Sequence, residues 1–315
     1  MVRKISINDL QNAVNGAYEE YKDLKKGEID SRVAEDVNPN ALGISVVLTD
    51  GRKVERGDVD ARVAMGNIVN VPVHKLLLEQ LGVKGLTKKA GKTSTHAVRK
   101  EKLPVDAHTL RAVSAVEPQD DKDGKYDMIV DSIIDMMGAE PVFNDKLYKR
   151  LSKEIVDENV ENKLAEAQYE LFDNAKTTLD DVAKLESLTV TTTELATMGA
   201  TIAADGVNPV TEQTVFDGTL SAPLVTIAAI HGDPSRNRRW MLKAGVPAVY
   251  SFSGLILAIM PGVGAIAAYG PEVGKHGRSK KGARVIRYIT NALGYNVFGS
   301  ARVEFVDAKT AVETY

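Results

Sequence analysis

The chain has 315 residues, 43% of them hydrophobic and 26% charged, with a formal net charge of −3. That is the balance of a soluble globular chain of about two domains' length, and so small a net charge names no partner. Cysteine is absent, which excludes disulfides, zinc–thiolate sites, iron–sulfur clusters and cysteine nucleophiles.

The N-terminal MVRKISINDLQ lacks the apolar core of a signal peptide. No apolar run reaches the roughly 18 residues of a membrane span. The expectation is a cytoplasmic protein with no membrane contact. In chain order, Ile5, Leu10, Val14, Ala17, Tyr18, Tyr21 and Leu24 repeat at helical spacing, which predicts an amphipathic helix over 5–25. ALGISVVLTDGRKVERGD reads as a hairpin turning at Asp50 and Gly51. A helix follows over 67–81, with Asn67 and Asn70 three apart in its first turn and so on one face. Helical patterns continue over 127–137, 145–154, 158–173, 178–185 and 192–204. DGVNPVT is a loop, and 219–231 suits another helix. PAVYSFSG, LILAIMPG and VGAIAAYGP are short apolar runs punctuated by Gly and Pro, the mark of an antiparallel meander. A last helix is expected over about 279–293.

This order predicts an α+β fold, an antiparallel sheet flanked by helices with an inserted all-helical lobe. The sheet domain takes residues 1–66 and 205–299, the helical domain 67–204, and 300–315 form a C-terminal tail. The tail's RVEFV alternates like an edge strand available to a neighbour's sheet.

Charge is segregated. Residues 117–145 hold nine Asp/Glu and two Lys/Arg, whereas 232–292 hold ten Lys/Arg and two Asp/Glu. Residues 84–102 add seven Lys/Arg and one Glu. A candidate anion-binding set is Lys88, Lys89, Lys92, Arg236, Arg238 and Arg239. Lys275, His276, Arg278, Lys280, Lys281 and Arg284 form a third basic segment.

Two motifs fail on spacing. GLTKKAGKTST has Leu86 where a phosphate loop needs its first glycine. DDKDGKYD, set in a calcium-loop register on Gly124, puts Gln119 and Val130 at the first and twelfth ligand places. The five histidines (His74, His96, His108, His231 and His276) show no metal-ligand spacing. His231 with Asp233 reads as a local turn pair, and Trp240 among Arg236, Arg238, Arg239 and Lys243 as packing or cation–π stacking. No metal and no cofactor is expected.

Several long stretches resemble the bacterial glutaminases of the serine β-lactamase-like fold. LGISVVLTDGRKVERGD is similar to that family's opening hairpin, and TTTELATMGATIAADGVNPVTEQTV to its segment ending in a G-x-N-P-V-T loop. AGVPAVYSFSGLILAIMPGVGAIAAYGPEV stands in place of its G-L-P-A-K-S-G-V-G-G-G-I-I-A strand pair, and VENKLAEA matches a helix carrying a family asparagine. The likeness spans roughly residues 5–295.

The resemblance assigns the family's site positions. Its S-x-x-K nucleophile and base fall on Asn67 and Asn70. Its acid–base tyrosine falls on Pro234, and its substrate-binding glutamate on Ile155, or on Glu154 if the register slips by one. A second pocket tyrosine falls on Val182, and two asparagines on Thr95 and Ala107. In K-S-G-V-G-G-G the lysine becomes Val249, the next three Tyr250, Ser251 and Phe252, and the last glycine Leu255. Asn162 is kept. A carboxamide is neither a useful nucleophile nor a base near neutral pH.

The expectation is therefore a degenerate former site with no catalytic residue, in a glutaminase-fold pseudoenzyme that does not hydrolyse glutamine. Such a chain would serve as a structural, self-assembling or partner-binding protein. Its partner would be itself, as dimer, tetramer or filament, or a paralogous glutaminase, because surfaces of opposite charge suit a head-to-tail contact. One alternative is an anion- or nucleic-acid-binding module whose basic loops take a polyanion. A second is a glutaminase-like amidohydrolase with new chemistry.

Overall fold

The structure is a computed structural model describing residues 2–35, 37–90, 103–119, 121–231, 237–275, 277–299 and 302–307. Two compact units emerge from the packing: residues 1–63, 136–139 and 190–315 make the first, and 64–135 and 140–189 the second. The division falls near 63/64 and 189/190, not at 66/67 and 204/205, because the helix over 192–203 belongs with the sheet.

The first unit is built on a five-stranded antiparallel sheet. Its strands are β3 (Gly43–Leu48), β4 (Lys53–Gly57), β8 (Ala248–Tyr250), β9 (Leu255–Met260) and β10 (Gly264–Tyr269), in the order β4-β3-β10-β9-β8. Every residue of β3, β9 and β10 is buried, since helices cover both faces. Ile44, Val46, Ile256, Ala258, Ile266 and Ala268 share one core with α1 (Ile7–Tyr21) and α11 (Lys280–Ala292). The alternate residues face α8 (Thr192–Ala203), where Ser45 Oγ lies 2.8 Å from Thr192 Oγ1. Gly199 allows that approach: a Cβ there would sit 2.6 Å from the Ala265 Cβ. The remaining helices of this unit are α9 (Ser221–His231) and α10 (Asn237–Ala244). Strand β2 (Glu28–Ile29) pairs with β11 (Glu272–Val273).

The expected helix over 5–25 starts later. Residues Val2–Ser6 form strand β1, and Ser6 caps α1 by a capping box with Asp9, so Ile5 is a strand residue. Strand β12 (Arg302–Val306) pairs in parallel with β1, from Val2 opposite Arg302 to Ser6 opposite Val306. The tail strand expected to serve a neighbour's sheet is thus used within its own chain.

The second unit is helical apart from a small sheet of order β5-β7-β6, made by β5 (Val63–Ala64), β6 (Val142–Phe143) and β7 (Leu188–Val190), with strand ends reaching the boundary. Its helices are α2 (Asn70–Ala90), α3 (Ala107–Ala115), α4 (Lys122–Met137), α5 (Asp145–Ile155), α6 (Glu158–Glu166) and α7 (Ala175–Glu186). The helix expected over 158–173 therefore ends at Glu166. Lys125 and Asp173 form an ion pair with both side chains buried.

Candidate functional site

The stretch AMGNIVN departs from one continuous helix. Gly66–Val69 form a 3-10 turn, and α2 begins at Asn70 and breaks at Gly82, whose φ of 64° favours glycine. Asn67 lies in the 3-10 turn and Asn70 at the head of the α-helix, both half-buried. The Asn70 amide folds back, its Nδ2 donating to Asn67 O at 3.0 Å and to Thr109 Oγ1 at 2.6 Å. Thr109 Oγ1 in turn donates to Asp106, the N-cap of α3, at 3.0 Å. This ties the start of α2 to the start of α3 through side chains alone. Asn70 Oδ1 is buried and has no hydrogen-bond partner among the described residues, which leaves an acceptor for an incoming N–H.

Proton chemistry stands one helical turn on. His74 Nδ1 lies 2.6 Å from Asn70 O. A carbonyl oxygen only accepts, so Nδ1 is the donor of this bond. His74 is buried and stacks on His108 of α3, ring centroids 5.0 Å apart and planes at 20°. In the sequence neither histidine stands at metal-ligand spacing, and their pairing comes from the packing of α2 on α3. Among the described residues no group of three or more His, Cys, Asp or Glu could hold a metal.

The other assigned positions are distributed as follows. In the second unit, Val182 on α7 and Ile155 at the end of α5 are both 0% exposed, and α7 packs on α5 and on the 3-10 turn of Asn67. Asn162, on α6, is exposed. Ala107 opens α3, and its carbonyl accepts from Tyr169 Oη at 2.7 Å. Burial pushes the Tyr169 hydroxyl up to about 12, against the opposing charge of Arg111. In the first unit, Val249 and Tyr250 end β8, while Ser251 and Phe252 lie beyond it in the turn to Leu255. Phe252 is buried with the Arg32 guanidinium 3.8 Å above its ring. Arg32 is held by paired hydrogen bonds of 2.8 Å to Asp30. Burial pushes the Asp30 carboxyl up, but the Arg32 bonds and charge prevail and hold it below the usual range. Ser251 and Ser253 bond to each other at 2.8 Å inside the turn.

Pro234, Thr95, Lys92 and Arg236 lie outside the described residues, as does the side chain of Arg238. Of the candidate anion set, Lys88 is exposed on α2, Lys89 lies 4.8 Å over the Phe172 ring, and Arg239 is exposed on α10. Arg278, from outside the expected cluster, stacks on Trp240 at 5.2 Å, and Trp240 Nε1 donates to Val246 O.

The Glutaminase family model matches residues 32–298. The chain is 32% identical to a Glutaminase of Parabacteroides distasonis, over 98% of this chain and 100% of the relative. It is equally 32% identical to a Glutaminase of Bacteroides fragilis over the same shares. The solved structure of a probable glutaminase, ybaS, superposes with a TM-score of 0.84 at 26% identity, covering 94% of this chain and 100% of that one. These likenesses bear out the α+β, β-lactamase-like architecture. They overturn the expectation of a pseudoenzyme kept as a structural protein, because relatives matched along their full length are named as glutaminases. Among the described residues no helix is long and apolar enough to cross a membrane.

Proposed function

This chain belongs to the glutaminase family, and from that premise we propose that it hydrolyses the side-chain amide of glutamine to glutamate and ammonia. The observation that carries the reading is the match at 32% identity across 98% of this chain with relatives named Glutaminase.

Asn67 and Asn70 hold carboxamides, so the attacking oxygen in this proposal is water's. His74 takes a proton from that water as its oxygen bonds to the amide carbon. The same ring returns the proton to the nitrogen as the carbon–nitrogen bond breaks, and ammonia leaves. Asn70 Oδ1, buried and without a partner among the described residues, accepts an N–H of the substrate amide. Support for these roles comes from the bond to Asn70 O that fixes the His74 ring in place and from the buried setting of both groups. We also propose a cytoplasmic location, checked by cell fractionation.

The test is release of ammonia and glutamate from glutamine by the purified chain, with asparagine as competing substrate. The expected result is turnover proportional to protein and lost in His74→Ala. Release no faster than the buffer background sets the reading aside. Turnover undiminished in His74→Ala keeps glutaminase activity and removes the role of His74.

A further inference from the structure

We propose that Thr109 and Asp106 are positioning residues that lock the Asn70 carboxamide into one orientation, and that this orientation selects a side-chain amide over a side-chain carboxylate. The inference deepens the hydrolysis reading above and rests on it for its ligand. All three residues belong to the second unit, at the heads of α2 and α3. Asp106 is exposed, and its Oδ2 accepts both the Thr109 N–H at 3.1 Å and the Thr109 hydroxyl at 3.0 Å. Thr109 itself is 0% exposed, so that hydroxyl is held out of water.

The direction of each bond follows from what each group can do. A carboxylate only accepts, so the one hydroxyl proton of Thr109 goes to Asp106, and Thr109 Oγ1 meets Asn70 as an acceptor. The carbonyl of Asn67 is likewise an acceptor. Both lie against the same atom of the Asn70 amide, at 2.6 Å and 3.0 Å. That atom is therefore the nitrogen, with both of its protons engaged. Turning the amide over would set Oδ1 against two acceptors. Oδ1 is left as a fixed acceptor, buried and without a hydrogen-bond partner among the described residues.

A buried acceptor held in one orientation is unfavourable until a donor reaches it. Asn70 as a whole is half-buried, so its amide stands at the margin of the packed core. Glutamine and glutamate differ in the one group that would arrive there. The glutamine amide brings two N–H donors. The glutamate carboxylate brings none, and its lone pairs would face those of Oδ1. Hydrolysis turns the first into the second, so the product loses this bond and is repelled where it forms. Asn70 contacts the substrate in this scheme, while Thr109 and Asp106 act only through it.

Turnover assays with the full chain give KM for glutamine and the inhibition constant of glutamate. In the wild type the glutamate constant should be the larger by about tenfold or more. Thr109→Val keeps the shape of the side chain without its hydroxyl. It should lower the ratio of the two constants about two- to tenfold, the scale of one neutral hydrogen bond. Thr109→Ser brings the hydroxyl back and should restore the ratio. A threonine that only packs would weaken both ligands alike, so a ratio unchanged in Thr109→Val overturns the proposal while wild-type turnover keeps the hydrolysis reading. If the wild type shows no turnover, calorimetric titration with glutamine and with glutamate reads the same ratio. A preference for glutamine that Thr109→Val diminishes then upholds the amide selection and sets hydrolysis aside. Equal binding of the two, or binding of neither, overturns it. Should Thr109→Val unfold, Asp106→Ala takes its place, because a threonine proton released to face Asn70 should lower the ratio too.

Discussion

His74 stacks on His108 with ring centroids 5.0 Å apart, and the same His74 ring hydrogen-bonds the carbonyl of Asn70. Helix α2 thus brings an amide and an imidazole together one turn apart. His74→Phe keeps an aromatic ring for His108 but has no nitrogen to move a proton. Glutamine turnover should fall by about 10²-fold or more, the usual scale for general acid–base catalysis, with the urea midpoint little changed. A matched loss of activity and stability would mean that the ring only packs.

The ion pair of Lys125 and Asp173 is internal to the second unit, the lysine side chain 1% exposed. Removing the lysine takes the ammonium away from a buried carboxylate. Lys125→Met should cost about 3–5 kcal/mol in urea unfolding. Lys125→Met with Asp173→Leu should recover most of that loss, because the double change leaves no stranded charge. A double variant as unstable as the single would place the cost in packing instead.

Lys281 is a buried amine in the first turn of α11, donating to Lys22 O at 2.9 Å and Asn40 O at 3.2 Å. Burial pulls its pKa down, against the opposing pull of Glu272, Asp23 and Asp58. The unfolded chain then binds more protons than the folded one between the lowered value and the ordinary lysine range, so this group makes stability rise with pH across that window. Lys281→Met should flatten the rise. At neutral pH it should lose about 1–3 kcal/mol, because two buried carbonyls lose their donor. Urea titrations at a series of alkaline pH values measure both effects.

Local pattern made much of the frame legible. The hairpin at Asp50 and Gly51, the meander at 248–269 and the helices over 145–155 and 192–203 announce themselves by turn chemistry and period. What stayed hidden was short or non-local. Strands β5 and β6 have two residues each, too few to show a period. The pairing of β1 with β12 joins the two ends of the chain, and nothing within either strand signals it. The stacking of His74 on His108 is likewise a product of packing between α2 and α3. Asn67 and Asn70 are legible in the sequence as a pair three residues apart. Their fold-back onto Asn67 O and Thr109 was not, because it depends on a 3-10 turn that spacing alone reads as helix.

The G-x-N-P-V-T loop owes its shape to one side chain. Asn208 is 0% exposed; its Oδ1 accepts from Val210 N at 2.9 Å and Thr211 N at 3.2 Å, and its Nδ2 reaches Met136 O at 3.4 Å. The amide substitutes for a turn's backbone bonds and ties the loop to residues 136–139 of the same unit. Asn208→Ala should cost about 2–3 kcal/mol, the scale for stranding buried backbone donors. Asn208→Asp keeps the acceptor for both amides but loses the donor to Met136, and should fall between. Equal stabilities for the three proteins, by denaturant unfolding, would remove the amide from this role.

Strand β12 gives the last test, because its place within the chain separates two accounts of the C-terminal tail. Its five residues run parallel to β1. Val303 and Phe305 pack against the core that α1 and α11 share with the sheet. Arg52, at the hairpin turn, donates to Phe305 O at 2.8 Å. Deleting 300–315 strips the β1 ladder of its only described partner and exposes part of that core. The two half-buried side chains imply a loss of about 2–3 kcal/mol from apolar area alone. Were the strand an arm for a neighbour, the deletion would lower particle mass and leave monomer stability untouched. Paired as it is at home, the opposite should hold: the denaturant midpoint drops, and the mass at a given concentration and salt stays that of the full chain. The exposed β1 edge of the truncated chain should also accept a synthetic peptide of sequence ARVEFVD, with the lost stability returning as peptide is added. Recovery should track peptide concentration and fail with a scrambled sequence.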